Sequence, residues 1–382
     1  MIYNETKPAN CTKVQPIENT EMEKSLAVAL EALAAGDFQE RWEVAKLFSP
    51  LGKAAITPLV QLLQTEEADL ELCWFVARIL GEFDEPQAIA ALVNLLTIAE
   101  SEEIKAVAAT TLANFGLQAI APLSNLLRQP QWQLLAIQSL SQIRHSDIIE
   151  PLLTVVNSTQ AAIRASALEA LGNFRDCRIP PILVLALDDA AAEVRLEATR
   201  ALGRNIDLLG ELDLVGLLRQ RLEDKDEDLA VREQAAVALS LCGTGAAVIT
   251  LFQSLQACTT PVTLKLTLVR ALSWIETSLA LKYLERAAQI QSVPVFREIV
   301  LALGRVEQPK LKPTSAAILS KLVYSGHPAI QQSQIKQYVA VGLGKLGGEQ
   351  AKLVLQELVT EGDAGVRLHA NAALQRLHNQ TE

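Results

Sequence analysis

Two tryptophans stand out by the cation downstream of each. Trp42 has Lys46 four residues later, and Trp74 has Arg78 four residues later. On a helix that spacing lays a cation beside each indole ring, and Phe75 adds a third ring next door. Rings with adjacent cations do binding chemistry: they hold a planar or acidic group by stacking, cation–π attraction and charge. The chain offers no nucleophile and base of comparable definition. Asp188 with Asp189, and Glu66 with Glu67, are paired carboxylates in turn-like stretches, where acids favour the N-terminus of the following helix. Gly342, Gly344, Gly347 and Gly348 crowd the end of a helical segment, where breakers are expected, and do not make the G-x-x-x-x-G-K-[ST] pattern of a phosphate loop. The histidines (His145, His327, His369 and His378) accompany no cysteine pair, so zinc is not expected. No catalytic residue and no metal ligand is assigned.

The bulk properties narrow the partners. The 382 residues carry a formal net charge of −10. An acidic chain repels phosphate, so nucleic acid is not an expected partner, nor is an anionic membrane reached through a basic surface. The cysteines (Cys11, Cys73, Cys177, Cys242 and Cys258) are odd in number and form no C-x-x-C pair, which fits reduced thiols in a cytosol-like compartment. No apolar run reaches the roughly 18 residues of a membrane span. The opening MIYNETKPANCTKVQPIENTE has no apolar core and does not resemble a secretory signal. Residues 1–21 are expected to form a flexible tail and 22–382 a single helical array.

The elements that must position the aromatic residues come from an internal repeat. A small or apolar pair followed by Leu, often then Gly, recurs in ARILGEF, ATTLANFG, IQSLSQI, LEALGNF, TRALGRN, AVALSLCG, VRALSWI, VLALGRV, AVGLGKLG and NAALQRL. The anchors are Leu80, Leu112, Leu140, Leu171, Leu202, Leu239, Leu272, Leu303, Leu343 and Leu374, with Phe48 in the same role in a degenerate first copy. These make eleven units of about 33 residues. Each reads as two helices. The first carries Pro58, Pro122, Pro151 or Pro181 in its opening turn. The second runs into the anchor, with Gly172, Gly203, Gly243 and Gly304 read as breakers at its end. The spacings of 37 residues before Leu239 and 40 before Leu343 place insertions between helices.

Counted from the anchor, positions −8, −4, −1 and 0 of the second helix form the core stripe. Position −7 is basic in Arg41, Lys105, Arg164, Arg195, Arg232, Lys265, Lys336 and Arg367. Such a row is either a ladder of ion pairs between neighbouring turns or a basic strip for an acidic partner. Trp42 and Trp74 both occupy −6, and Lys46 and Arg78 both occupy −2, away from the core. Arg200 and Arg270 continue the −2 row. One reading makes Trp42, Lys46, Trp74, Phe75, Arg78, Arg200 and Arg270 a partner-binding strip; the other makes the large rings a cap on the first units. Trp132 at −8 and Trp274 at +2 fall outside that register and are read as packing.

Alternating helices with A-I-x-P-L-x-x-L-L, an acidic turn, V-R and then A-L-G resemble HEAT repeats. AAIRASALEALGNF, AAEVRLEATRALGRN and DAGVRLHANAALQRL resemble in particular the HEAT-like repeats of phycobilisome lyases, frequent in cyanobacteria. The resemblance covers about residues 25–378. It implies an all-α solenoid of about eleven helical hairpins and a non-enzymatic scaffold for protein partners on the concave face. It further implies photosynthetic or phycobilisome-related partners in a cyanobacterial cytosol or plastid stroma. Lyases of the family attach linear tetrapyrroles to cysteines, so the alternative is a bilin lyase or tetrapyrrole-binding chaperone. No cofactor is expected otherwise.

Overall fold

A computed structural model describes residues 17–65, 69–208, 212–290 and 292–379. Residues 1–16 with Cys11, the pair Glu66 and Glu67, and residues 209–211 of the first long spacing lie outside them. Helices make up 76% of the described residues, which contain no strand. A first helix begins at Ile17, inside the segment expected to be tail. The chain forms two compact units, Met1–Ser158 and Thr159–Glu382.

We label the second helix of each hairpin. In the first unit these are α1 (Phe38–Ala45), α2 (Leu70–Leu80), α3 (Glu102–Asn114) and α4 (Gln133–Ser141). In the second unit they are α5 (Ala161–Leu171), α6 (Ala192–Arg204), α7 (Leu229–Cys242), α8 (Val262–Trp274), α9 (Val293–Leu303), α10 (Ser333–Leu346) and α11 (Ala364–Asn379). Within each unit consecutive second helices pack side by side, and first helices such as Pro86–Ile98 and Leu214–Glu223 pack against the second helix of their own hairpin. Each unit is thus an α-solenoid stack of two helical layers. Pro122 lies inside the first helix Leu117–Leu126 rather than in its opening turn.

The core follows the repeat register. Every anchor from Phe48 to Leu343 is 0% exposed; Leu374, with no later second helix against it, is half-buried. In α6 the stripe Val194, Ala198, Ala201 and Leu202 is wholly buried. Of the glycines read as breakers, Gly243 fits that role, with φ +65° at the end of α7. Gly172 and Gly304 also stand at helix ends, as the C-caps of α5 and α9, while Gly203 lies inside α6, and all three let neighbouring second helices touch. A Cβ on Gly172 would lie 2.6 Å from Cβ of Ala201, one on Gly203 3.1 Å from Cβ of Ala238, and one on Gly304 2.9 Å from Cα of Gly342. The glycine after one anchor meets the small residue before the next, which is why A-L-G repeats as a unit.

The row at −7 is a ladder. Arg164 donates to both oxygens of Asp189 at 2.8 and 2.6 Å. Arg195 donates to Glu227 at 2.6–3.1 Å, and Lys336 to Glu361 at 2.5 Å. Each acid belongs to the turn of the next hairpin. The same cations hold their own turn: Arg195 also donates to the carbonyls of Asp189 and Ala190, and Arg367 to those of Glu361 and Gly362. Arg232 donates to the Leu222 carbonyl of its own first helix. Hydrogen bonding from Arg164 holds Asp189 below the usual carboxylate range, and Asp188 pairs with Arg221 at 3.1 Å. These bonds take up Arg164, Arg195, Arg232, Lys336 and Arg367, whereas Lys105 pairs within its own helix with Glu102 at 2.7 Å and Lys265 has no acid partner among the described residues. Cys73, Cys177, Cys242 and Cys258 form no disulfide.

Candidate functional site: an aromatic cleft on the first unit

Two caps fix where the rings stand. Asp37 and Glu40 form a reciprocal capping box that starts α1 at Phe38. Asp69 caps α2 by accepting from the Leu72 amide. Asp69 also accepts from Arg41 of α1 at 3.0 and 3.1 Å. That side-chain bond, first among the causes, holds the Asp69 carboxyl below its ordinary value. One acid therefore caps α2 and ties it to α1, so Trp42 is brought against Trp74 and Phe75 in fixed register.

Trp74 meets Phe75 edge-on at 5.0 Å between ring centroids. Trp42 meets Phe75 edge-on at 6.4 Å. Phe38 completes the cluster, stacked on Trp42 at 6.2 Å and 5.3 Å from Phe75. Phe75 is 2% exposed and forms the floor, whereas Trp42 is 39% and Phe38 53% exposed. Large exposed rings at that density are unusual for a closed cap and are what binding surfaces present. Phe38 was not among the residues expected from the sequence, although it precedes Trp42 by the same four residues that separate Trp42 from Lys46.

The cations differ in availability. Nζ of Lys46 lies 6.0 Å from the Trp42 ring and is paired with Glu43 at 3.0 Å. The Arg78 guanidinium carbon lies 4.8 Å from the Trp74 ring centroid, and among the described residues it has no carboxylate partner. It is a cation held on an indole with N–H groups to offer an acid. The cleft between these helices measures about 270 Å³ and is lined by Trp42, Lys46, Trp74, Phe75 and Arg78, with Glu82, one turn beyond Arg78 and not ion-paired to it, at its edge. A second cleft of about 320 Å³ lies on the far side of Arg78, lined by Glu82, Thr110, Thr111 and Asn114. Arg78 and Glu82 line both clefts and form the ridge between an aromatic cleft and a polar one.

Arg200 and Arg270 belong to the second unit, and each has its own acid. Arg200 pairs with Glu197 at 2.5 Å within α6. Arg270 of α8 pairs with Glu298 of α9 at 2.9 Å, and that bond raises its already high pKa. Burial pushes the Glu197 carboxyl above its usual range. The expected strip is therefore realised by Trp42, Lys46, Trp74, Phe75 and Arg78 alone as a common cleft. Trp132 is half-buried. Trp274 is not packing: it is 57% exposed at the end of α8. It lies four residues beyond Arg270, so −6, −2 and +2 share one helical face and the register extends one turn further than expected. Among the described residues no group of three or more side chains could hold a metal ion.

Comparison with known proteins defines the class. The model of the HEAT repeats matches residues 56–135, 120–203 and 179–266, more than half of the chain. The protein belongs to the HEAT-repeat family. No curated protein matches it significantly. Among solved structures it is similar to Kap121p, with a TM-score of 0.51 and 12% identity over 94% of this chain and 49% of that one; the chain thus spans about half of Kap121p. It is also similar to human deoxyhypusine hydroxylase, with a TM-score of 0.31 and 18% identity over 77% of this chain and 97% of the other. The CpcE–CpcF complex of phycocyanin lyase from a Nostoc species matches with a TM-score of 0.28 and 19% identity, over 76% of this chain and 100% of that one. At these identities the likeness is one of fold. No helix among the described residues is long and apolar enough to cross a membrane.

Proposed function

We propose that this protein is a non-enzymatic binding scaffold whose first unit captures a protein partner in the cleft between α1, α2 and α3. The observation that carries this is Arg78: an arginine with no acid among the described residues, laid on Trp74, beside the half-exposed Trp42. Core packing accounts for Phe75 but gives no reason to leave a guanidinium without a carboxylate on an indole ring. A partner segment with an aromatic or apolar side chain followed by an acid would use the aromatic cleft and Arg78 together. By the resemblance of its repeats to those of phycobilisome lyases, we place the partner among photosynthetic or phycobilisome-related proteins.

The test compares capture of partners by the wild-type chain and by Trp42→Ala with Trp74→Ala. Each lost ring is expected to cost about 2 kcal/mol of binding, with the thermal midpoint within a few degrees of wild type. A double variant that melts much earlier yet keeps its partners makes the rings a cap. The alternative occupant is a linear tetrapyrrole, since rings and a cation suit a planar anion. Two clefts of about 270 and 320 Å³ split by a ridge suit successive side chains better than one continuous chromophore, because small-molecule pockets are usually single cavities of about 300–1,000 Å³. Incubation with phycocyanobilin distinguishes the two: a change in its visible absorption supports the tetrapyrrole.

A further inference from the structure

The second unit carries a surface of its own on the +2 positions of its second helices. After Asn173 on α5 these are, from α6 on, Arg204, Leu241, Trp274, Arg305, Lys345 and Arg376, and all of them are exposed. Leu241 and Trp274 are 56% and 57% exposed, large values for apolar side chains at the centre of a row. The row is continuous where contacts mark it. Cδ1 of Leu241 lies 3.4 Å from the Cβ position of Gly203, next to Arg204. Trp274 and Arg305 line one small cleft with Arg270 between α8 and α9. Arg305, Lys345 and Arg376 have no carboxylate partner among the described residues, and Arg204 donates to the amide oxygen of Asn173. The acids bordering the row are occupied: Glu298 by Arg270 and Glu197 by Arg200. Glu276 accepts from the Glu307 and Gln308 amides. In a protein of net charge −10, four cations of this row thus flank two bare apolar side chains, with Glu276 as the acid that shares the cleft of Trp274 and Arg305.

We propose that this row is a docking site for an extended acidic peptide in which the second and third of six row-facing residues are apolar. The charge decides the occupant, since available guanidinium and ammonium groups call for carboxylates and Leu241 with Trp274 call for apolar side chains between them. Nucleic acid matches the cations but not the central apolar pair. The fold also sets the spacing. Packed helices lie about 8–10 Å apart, and an extended chain advances about 3.3 Å per residue. One peptide side chain in three therefore meets each rung. The six rungs read acid, apolar, apolar, acid, acid, acid at every third residue, a segment of about sixteen residues.

The test uses the full chain and fluorescently labelled sixteen-residue peptides carrying Glu, Leu, Phe, Glu, Glu, Glu at every third position, in this order and in reverse, with neutral residues between. Fluorescence anisotropy is read against a scrambled peptide of the same composition and a single-stranded oligonucleotide of matched length. One of the two ordered peptides is expected to bind at least about tenfold more tightly than the scrambled one, a step of about 1.4 kcal/mol. Arg305→Glu with Lys345→Glu should weaken that binding more than about tenfold, and Trp274→Ala by about thirtyfold. Lys282→Glu, on a first helix away from the row, should change nothing. All variants sit on the surface, and a melting curve for each confirms an intact fold. Equal binding of ordered and scrambled peptides, tighter binding of the oligonucleotide, or indifference to the Arg305 and Lys345 reversals overturns the proposal.

Discussion

Replacing Arg195 by methionine is expected to be among the most damaging single changes in the second unit. Glu227 has a side chain only 2% exposed, and Arg195, 16% exposed, donates three hydrogen bonds to it at 2.6, 2.9 and 3.1 Å. Methionine keeps the stem but removes the charge, leaving a buried carboxylate with the Asp228 amide at 2.8 Å and its remaining cation, Arg221, 3.8 Å away. It also strips the Asp189 and Ala190 carbonyls of a donor. Breaking a buried pair from one side costs about 3–5 kcal/mol, because the desolvated charge remains. Removing both partners costs far less, so Glu227→Gln in the Arg195→Met background should recover more than about half of the loss. The exposed Lys46–Glu43 pair is the control, expected to contribute about 0–1 kcal/mol. Urea unfolding measured by circular dichroism gives the four corners of the cycle. Hydrogen exchange should show opening concentrated in α6 and α7, since a repeat array loses local contacts first. A cost for Arg195→Met below about 0.5 kcal/mol, or additive single and double variants, would refute the idea that the ladder fixes the stacking of hairpins.

Other expectations rest on the same stack. Leu202→Ala, at a fully buried anchor, should cost about 2–5 kcal/mol in urea unfolding, and a loss under about 0.5 kcal/mol would mean the repeat phase is wrong. Gly304→Leu should destabilise by more than about 2 kcal/mol, because even its Cβ would stand 2.9 Å from the Gly342 backbone; the Gly243→Ala effect should instead reflect the strain of its φ of +65° and be smaller, about 1 kcal/mol. Asp69 and Asp189 have folded-state pKa values below 3.8, their ordinary value, held there first by bonds from Arg41 and Arg164. Their stabilisation is full above that value and is lost as the pH falls through the lower folded-state values. Thermal midpoints should therefore fall as the pH drops below that ordinary value, and less steeply in Arg164→Gln.

The fold was legible because one helical period ran through the chain. The positions −8, −4, −1 and 0 marked the core, and the anchors from Phe48 to Leu343 are all 0% exposed. The basic residue at −7 was legible as a row, but its partners were not, since Asp189 and Glu227 lie 25 and 32 residues beyond their arginines. The glycines were harder. A glycine after a helix anchor reads as a stop, yet Gly203 and Gly304 are there because Ala238 and Gly342 of the next hairpin press against them. That contact has no local signature. The cleft residues were visible through the matched spacing of Trp42 with Lys46 and Trp74 with Arg78. Arg200 and Arg270 shared the register but not the environment: Glu197 and Glu298 neutralise them, and only three-dimensional packing reveals that. Trp274 shares the face of −6 and −2 one helical turn further on, at +2, where the repeat motif itself carries no signal of exposure.

The claim that the cleft is where the partner sits is tested most directly by site-specific photo-crosslinking. A photoreactive residue is placed at position 46, beside the Trp42 ring, or at Asn94, exposed on the first helix Pro86–Ile98 of the same unit. Both chains are irradiated with the partner that the wild-type protein captures. Crosslinks from position 46 that vanish on adding Arg78→Glu, with none from position 94, are the predicted result. Crosslinks from position 94 and none from position 46 would contradict it.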